Sequence, residues 1–151
     1  MNESDKIKVI ATNRKANFEY EIINKYEAGI VITGTEVKSL REGKVNLQES
    51  YGRIIKDEVW IVNSHINEYK YGNINNHEPT RNRKLLLNKR EIRKIKQQLQ
   101  EKGLTLVPLK IYFKGSLVKV EIGIARGKKL YDKRESLKTK DATREMARKM
   151  K

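Results

Sequence analysis

The sequence contains no cysteine, which excludes a disulfide framework, a thiolate metal site and a thiol nucleophile together. Imidazole chemistry is confined to two histidines, His65 and His77. No run approaches 18 consecutive apolar residues, and the opening "MNESDKIKVIAT" lacks the basic-then-apolar layout of a secretory signal. A soluble, cytoplasmic chain with no membrane partner is therefore expected. Acidic groups are scarce, because 19 Asp and Glu stand against 34 Lys and Arg, a formal charge of +15 over 151 residues. A field of that sign favours polyanionic partners, most simply nucleic acid. The length suits one compact domain with appendages, and a monomer is expected.

Residues 17–33, "NFEYEIINKYEAGIVIT", alternate in part and predict a long strand with Phe18, Tyr20 and Ile22 on one face and an irregularity between Asn24 and Ala28. The period then changes in "GTEVKSLREGKV": Val37 and Leu40 are three apart, Thr35 serves as cap and Gly43 as stop, giving a short helix. "SYGRIIKDEVWIVNSH" reads as a hairpin around Lys56-Asp57-Glu58, with Trp60 expected in the core. "NEYKYGNINNHEPTRNRK" has no sustained period and reads as a polar loop. A second helix is marked by Asn88 as N-cap, Glu91 three residues on, a stripe of Ile92, Ile95 and Leu99, and Gly103 at the stop. Last come two strands around Lys114-Gly115-Ser116, in which Val118, Val120, Ile122 and Ile124 alternate with Lys119, Glu121 and Gly123, one face buried and the other wet. The fold class is mainly β, a small antiparallel barrel resembling the oligonucleotide-binding fold with two flanking helices.

After Ala125 the regime changes. From Arg126 to Lys151 there are 11 basic and 4 acidic residues and few large apolar ones. Such a segment buries too little to offset its ordering entropy. Yet Asp132 can cap with Glu135 behind it, and neither Pro nor Gly interrupts residues 128–151. Two parts are expected: a folded domain over 1–125, and a basic tail over 126–151 that is disordered alone and helical on a polyanion.

Catalytic patterns are thin. The one local candidate for metal hydrolysis is His77 beside Glu78 in "NNHEPTR", two neighbours that share no helical face. The bland reading makes His65 a half-buried strand residue and His77 a loop hydrogen-bonder. No nucleophile elbow and no phosphate-cradling loop is present. No enzyme, cofactor or metal is expected. Basic clusters with aromatic or polar neighbours do stand out: "NRKANFEYE", "RNRKLLLNKREIRKIK" and "RGKKLYDKR". Lys and Arg supply phosphate contacts, while Asn, Glu and rings reach bases and riboses.

The stretches "NRKANFEYEI", "YEAGIVITGTEVKSLREGKVNL", "NHEPTRNRKLLLNKREI", "LTLVPLKIYF", "VKVEIGIARGKK" and "YDKR" resemble the small protein B (SmpB) family of bacterial trans-translation, in order and over nearly the whole chain. The resemblance implies a protein that binds transfer-messenger RNA (tmRNA) and enters the vacant decoding site of a stalled ribosome. Its charged RNA would arrive with elongation factor Tu. The family's RNA-binding positions fall on Asn13, Glu27 and Leu86. Arg14, Lys15, Lys38, Arg81, Arg83, Lys84 and Lys128 are phosphate-contact candidates by charge and motif position. The ribosome-directed tail motif falls on Gly127, Lys128, Lys129, Asp132, Lys133 and Arg134, with Tyr131 where many members carry His. That exchange keeps a stacking surface and removes a group titrating near neutral pH. Two alternatives stand beside this reading: a general ribosome-associated or RNA-chaperone barrel, and an RNA nuclease or modifying enzyme built on His77 and Glu78.

Overall fold

The computed structural model describes residues 6–72 and 76–127. In chain order the elements are β1 (Ile7–Thr12), α1 (Arg14–Glu19), β2 (Tyr20–Ile30), α2 (Gly34–Arg41), β3 (Val45–Asn46), β4 (Tyr51–Ile55), β5 (Glu58–Val62), β6 (His65–Ile66), β7 (Arg83–Leu86), α3 (Lys89–Leu99), β8 (Leu104–Lys114) and β9 (Leu117–Gly127). The strands β8, β4, β5, β7, β2 and β9 hydrogen-bond in that order, and β9 returns to β8, so six strands close a ring. β1 extends the sheet along β8, and β3 with β6 forms a separate ribbon. The fold is a small antiparallel barrel, as expected from the sequence.

Closure puts alternate side chains into one interior. Ala28, Val59, Ile61, Leu85, Ile111, Val120, Ile122 and Ile124 point inward and are almost fully buried. α3 plugs the barrel through Ile95, which is fully buried, with Ile92 and Leu99 partly buried beside it. Its start is fixed by the expected capping box, in which the Asn88 side chain accepts from Glu91 N and Glu91 Oε1 accepts from Asn88 N. Gly103, at φ 89°, turns the chain into β8. Lys56 and Asp57 both lie at positive φ, 50° and 60°, the two-residue turn that matches hairpin twist. Lys96 of α3 pairs with Asp57 at 2.7 Å and ties that turn to the helix.

Several expectations need correction. β1 carries no strong signal and goes unread in the sequence. Phe18 lies in a helix, not a strand: Asn13 Oδ1 accepts from Ala16 N and starts α1, making three helices among the described residues. α1 lays Ala16 against Val107, Leu109 and Ala125, so one end of the barrel's outer face is covered, not wet. The cap of α2 is Thr33, not Thr35, because the Thr33 hydroxyl accepts from Glu36 N and Glu36 accepts from Thr33 N. Trp60 faces out: Val59 and Ile61 take the interior, and parity gives Trp60 the opposite side, half-buried. β7 begins at Arg83, inside the segment read as loop, and His65 is exposed. β9 runs to Gly127, past the expected boundary at Ala125.

Candidate nucleic-acid interface

The outer face that α1 leaves open is assembled by register. Leu86 of β7 stands opposite Gly29 of β2, Gly29 opposite Lys119 of β9, and Lys119 opposite Tyr112 of β8. In the neighbouring row Glu27 stands opposite Glu121, and Glu121 opposite Lys110. Glu27 and Gly29 are two apart on one strand and so share a face, which brings Glu27 and Leu86 together although they are far apart in the chain. The face mixes exposed apolar side chains (Val9, Val31, Leu86 and Leu117) with the ammonium groups of Lys84, Lys110, Lys114 and Lys119. Apolar contacts ringed by cations suit a ligand that offers both base surface and phosphate.

Leu86 is 51% exposed and has no core role. A Cβ on Gly29 would meet Leu86 Cβ at 3.2 Å. The missing side chain therefore lets Leu86 lie over β2. Glu27 accepts hydrogen bonds from the Tyr112 hydroxyl and from Lys114 Nζ at 3.2 Å. The Tyr112 bond foremost, with Lys114 in support, holds the Glu27 carboxyl below the usual carboxylate range. Burial and the Glu27 carboxylate push the Tyr112 hydroxyl far up, so it remains a donor. Lys110 Nζ lies 5.5 Å from the Tyr112 ring centre and 3.7 Å from Glu121. Glu27 is thus a fixed, ionised acceptor with an exposed edge.

The other candidates separate. Asn13 is 1% exposed, and its amide nitrogen donates to Leu47 O at 3.1 Å and Pro108 O at 2.9 Å while its oxygen caps α1. Every side-chain group is committed internally. Arg83 is a second correction. It shares the inward parity of Leu85, is fully buried, and donates to Glu36, Ser64, Arg81 O and Pro79 O. It has no donor to offer a phosphate. Arg81 is half-buried and donates to Glu36 and to Val31 O at 3.2 Å. Glu36 is fully buried between the two guanidinium groups. Burial alone would raise its pKa, but the bonds from Arg81, from Thr33 N and from Arg83 together hold it down. Arg14 is exposed at the start of α1, Lys15 pairs with Glu49 at 2.7 Å, and Lys84 pairs with Glu58 at 3.3 Å. Lys38 projects from α2 with Nζ 5.3 Å from the Tyr69 ring centre. Gly127 is the exposed last residue of β9. Lys128, Lys129, Tyr131, Asp132, Lys133 and Arg134 lie outside the described residues.

His77 is nearly buried. Its Nε2 lies 2.9 Å from Ile66 O and its Nδ1 2.9 Å from the Thr35 hydroxyl. The carbonyl requires Nε2–H, which leaves Nδ1 to accept from Thr35. His77 is the loop hydrogen-bonder of the bland reading, and both its nitrogens are occupied. Among the described residues no three His, Asp or Glu converge where a metal could sit.

Residues 10–151 match the family model described as SmpB protein. The chain belongs to the SmpB family. An SsrA-binding protein of Carboxydothermus hydrogenoformans is 58% identical over 139 residues, 92% of this chain and 93% of its own. One of Gloeothece citriformis is 55% identical over 151 residues, 99% of this chain and 97% of its own. A solved structure described as "tmRNA-SmpB: a journey to the center of the bacterial ribosome" contains a chain 50% identical, with TM-score 0.68 over 80% of this chain and 85% of that one. Within this SmpB chain, sequence reasoning missed Tyr112, Lys114, Lys119 and Gly29 as parts of the face. The strict alternation in β9 already set Lys119 outside, and carrying it across the Gly115-Ser116 turn finds Tyr112 and Lys114.

Proposed function

We propose that this chain binds tmRNA, the SsrA RNA of its relatives, through the open face centred on Glu27 and Leu86, and brings it to stalled ribosomes in the cytoplasm for trans-translation. The observation that carries the reading is the convergence of those two side chains with four lysines on one open surface, the buried Tyr112 holding Glu27 from beneath. Glu27 accepts from bases or 2′-hydroxyls, Leu86 lies against an unstacked base, and the lysines hold phosphates. Asn13 acts as a positioning residue: it joins α1, the Leu47 loop and the β8 bulge, and so presents Arg14 and Lys15 at the edge of the face. The chain is an adaptor, not an enzyme. Peptide transfer belongs to the ribosome, and elongation factor Tu joins through the charged RNA. The tail beyond Gly127, which carries Tyr131, Asp132, Lys133 and Arg134, forms a helix in the message channel.

Affinity for any RNA should fall linearly with log salt, because the lysines displace counterions. Glu27→Ala should leave that slope within about one unit while weakening tmRNA by about 1–3 kcal/mol against a duplex of equal charge. Titrations at several salt concentrations check it, and an equal loss on both RNAs would make Glu27 a support of the fold alone. Gly29→Val should act at a distance of one strand. The added side chain lifts Leu86 from β2 and should reproduce the loss given by Leu86→Ala, on the order of 1 kcal/mol in tmRNA affinity. The thermal melt shows that the barrel remains folded. Retained affinity in Gly29→Val with loss in Leu86→Ala would mean that the seating of Leu86 is irrelevant.

A further inference from the structure

The loop between β6 and β7 holds an aromatic pair that the barrel face does not use. The Tyr69 and Tyr71 rings meet edge to face, with centroids 5.6 Å apart and planes at 69°. Lys38 Nζ of α2 lies 5.3 Å from the Tyr69 centroid, and Lys70 Nζ 5.7 Å from that of Tyr71. Tyr71 is 74% exposed, the most exposed of the chain's described large hydrophobic residues. Its ring, paired with a second ring and flanked by two ammonium groups, offers apolar area for a ligand to cover.

The loop is built to hold it there. Asn76 Oδ1 accepts from Tyr69 N at 3.2 Å and from His77 N at 3.1 Å, and Asn76 Nδ2 donates to Tyr69 O at 2.8 Å. Gly72 N donates to the same carbonyl at 2.9 Å. A Cβ at Gly72 would stand 2.5 Å from Asn76 Nδ2 and 3.2 Å from Tyr69 O, so the turn requires glycine. Behind Asn76, His77 is fixed to Thr35 and Ile66. The backbone that carries Tyr69 and Tyr71 is thus tied at both ends to the folded body. Little ordering remains to be done when a ligand arrives.

We propose that Tyr71, backed by Tyr69 and flanked by Lys38 and Lys70, is a stacking site for one unpaired RNA base, separate from the Glu27–Leu86 face. An exposed ammonium over a ring is a weak partner in water. A base covers the whole ring and brings a phosphate to each lysine, so it displaces Lys70 from the ring without stranding its charge. With 74% of its surface in solvent, Tyr71 is open for this. The ligand class is single-stranded RNA, because a base inside a duplex has no free face. No part of the proposal depends on the barrel face.

The test is the affinity of the full chain for a labelled oligoadenylate of about eight nucleotides, measured by fluorescence anisotropy in raised salt. Tyr71→Ala should weaken it about 5- to 150-fold, and Tyr71→Phe by no more than about twofold, the hydroxyl being dispensable for stacking. A duplex of equal phosphate number should bind all three chains alike. In a parallel arm, photocrosslinking of an oligomer carrying 5-iodouridine should place the adduct on Tyr71. Oligoadenylate affinity unchanged by Tyr71→Ala would overturn the proposal, as would an equal loss for duplex and single strand. The two readings fail separately. tmRNA affinity unmoved by Leu86→Ala would count against the barrel face, and oligoadenylate affinity unmoved by Tyr71→Ala against this loop.

Discussion

Glu36→Ala should destabilise the fold by about 3–5 kcal/mol, because it strands a buried charge. Arg83 is fully buried and Arg81 half-buried, and both guanidinium groups donate to the one carboxylate. Glu36 also closes the capping box of α2 through Thr33 N, so half of that box is lost with it while the Thr33 hydroxyl still accepts from the residue 36 N–H, a further loss of at most about 1 kcal/mol. Removing Arg83 in the same chain should recover part of the loss. A Glu36→Ala Arg83→Met double variant leaves no unpaired buried charge at that strand, and apolar replacement of a buried pair is often near neutral. Denaturant midpoints at constant slope give the values, and a loss below about 1 kcal/mol in Glu36→Ala would show that the network contributes little.

The same group sets an acid limit. The folded Glu36 carboxyl is held below the range it has unfolded, about 4.3. Its contribution is therefore complete above that range and is lost as pH falls through the depressed folded value, where the unfolded chain binds the proton first. Glu36→Gln should flatten that part of the stability–pH curve while lowering the plateau.

How much was legible depends on what each signal reports. Period and caps report local structure, and they served well where a helix or strand stands on its own pattern: Asn88 and Glu91 at the start of α3, Ile95 on its buried stripe, Lys56 and Asp57 in the hairpin turn. Alternation reports which residues share a face, not what covers it. Trp60 and Gly123 were misjudged for that reason: the side of the sheet was decided by barrel closure in one case, and in the other the outward face is covered by Leu109 and Ile22. Charge reports attraction to polyanions, not whether a given cation is free. Arg83 stands in a basic cluster that reads as a phosphate site, yet its partner Glu36 is a distant residue and the pair is internal. The resemblance pointed to Asn13, Glu27 and Leu86 alike. Geometry divides them into one internal tie and two surface groups.

A chain ended after Gly127 should keep its barrel and bind tmRNA in raised salt within about tenfold of the full chain, yet tag no peptide on ribosomes stalled without a stop codon. The cut belongs there, because Gly127 and Arg126 pair with Tyr20 and Glu21 inside β9, and ending at Ala125 would remove both pairs. The removed segment carries ten basic and four acidic residues. Its loss should lower affinity for all RNAs in low salt and reduce the salt slope, with little effect on preference. Ala142→Pro separates shape from charge. It keeps every cation and costs a helix about 3 kcal/mol, so it too should abolish tagging while leaving tmRNA bound. Normal tagging by Ala142→Pro would rule out a helical tail, and parallel loss of tmRNA binding and tagging on truncation would assign the tail to the tmRNA site.

The central claim, that the Glu27–Leu86 face reads tmRNA specifically, is tested most directly by competition. The measurement is the affinity of the full chain for tmRNA against a transfer RNA with the same number of phosphates inside the bound footprint, in raised salt where the counterion contribution is small. A preference for tmRNA of at least about tenfold is predicted, worth about 1.4 kcal/mol, and the Glu27→Ala Leu86→Ala double variant should abolish it while keeping the salt slope. Equal affinity of the wild-type chain for the two RNAs, or a preference that survives the double variant, would contradict it.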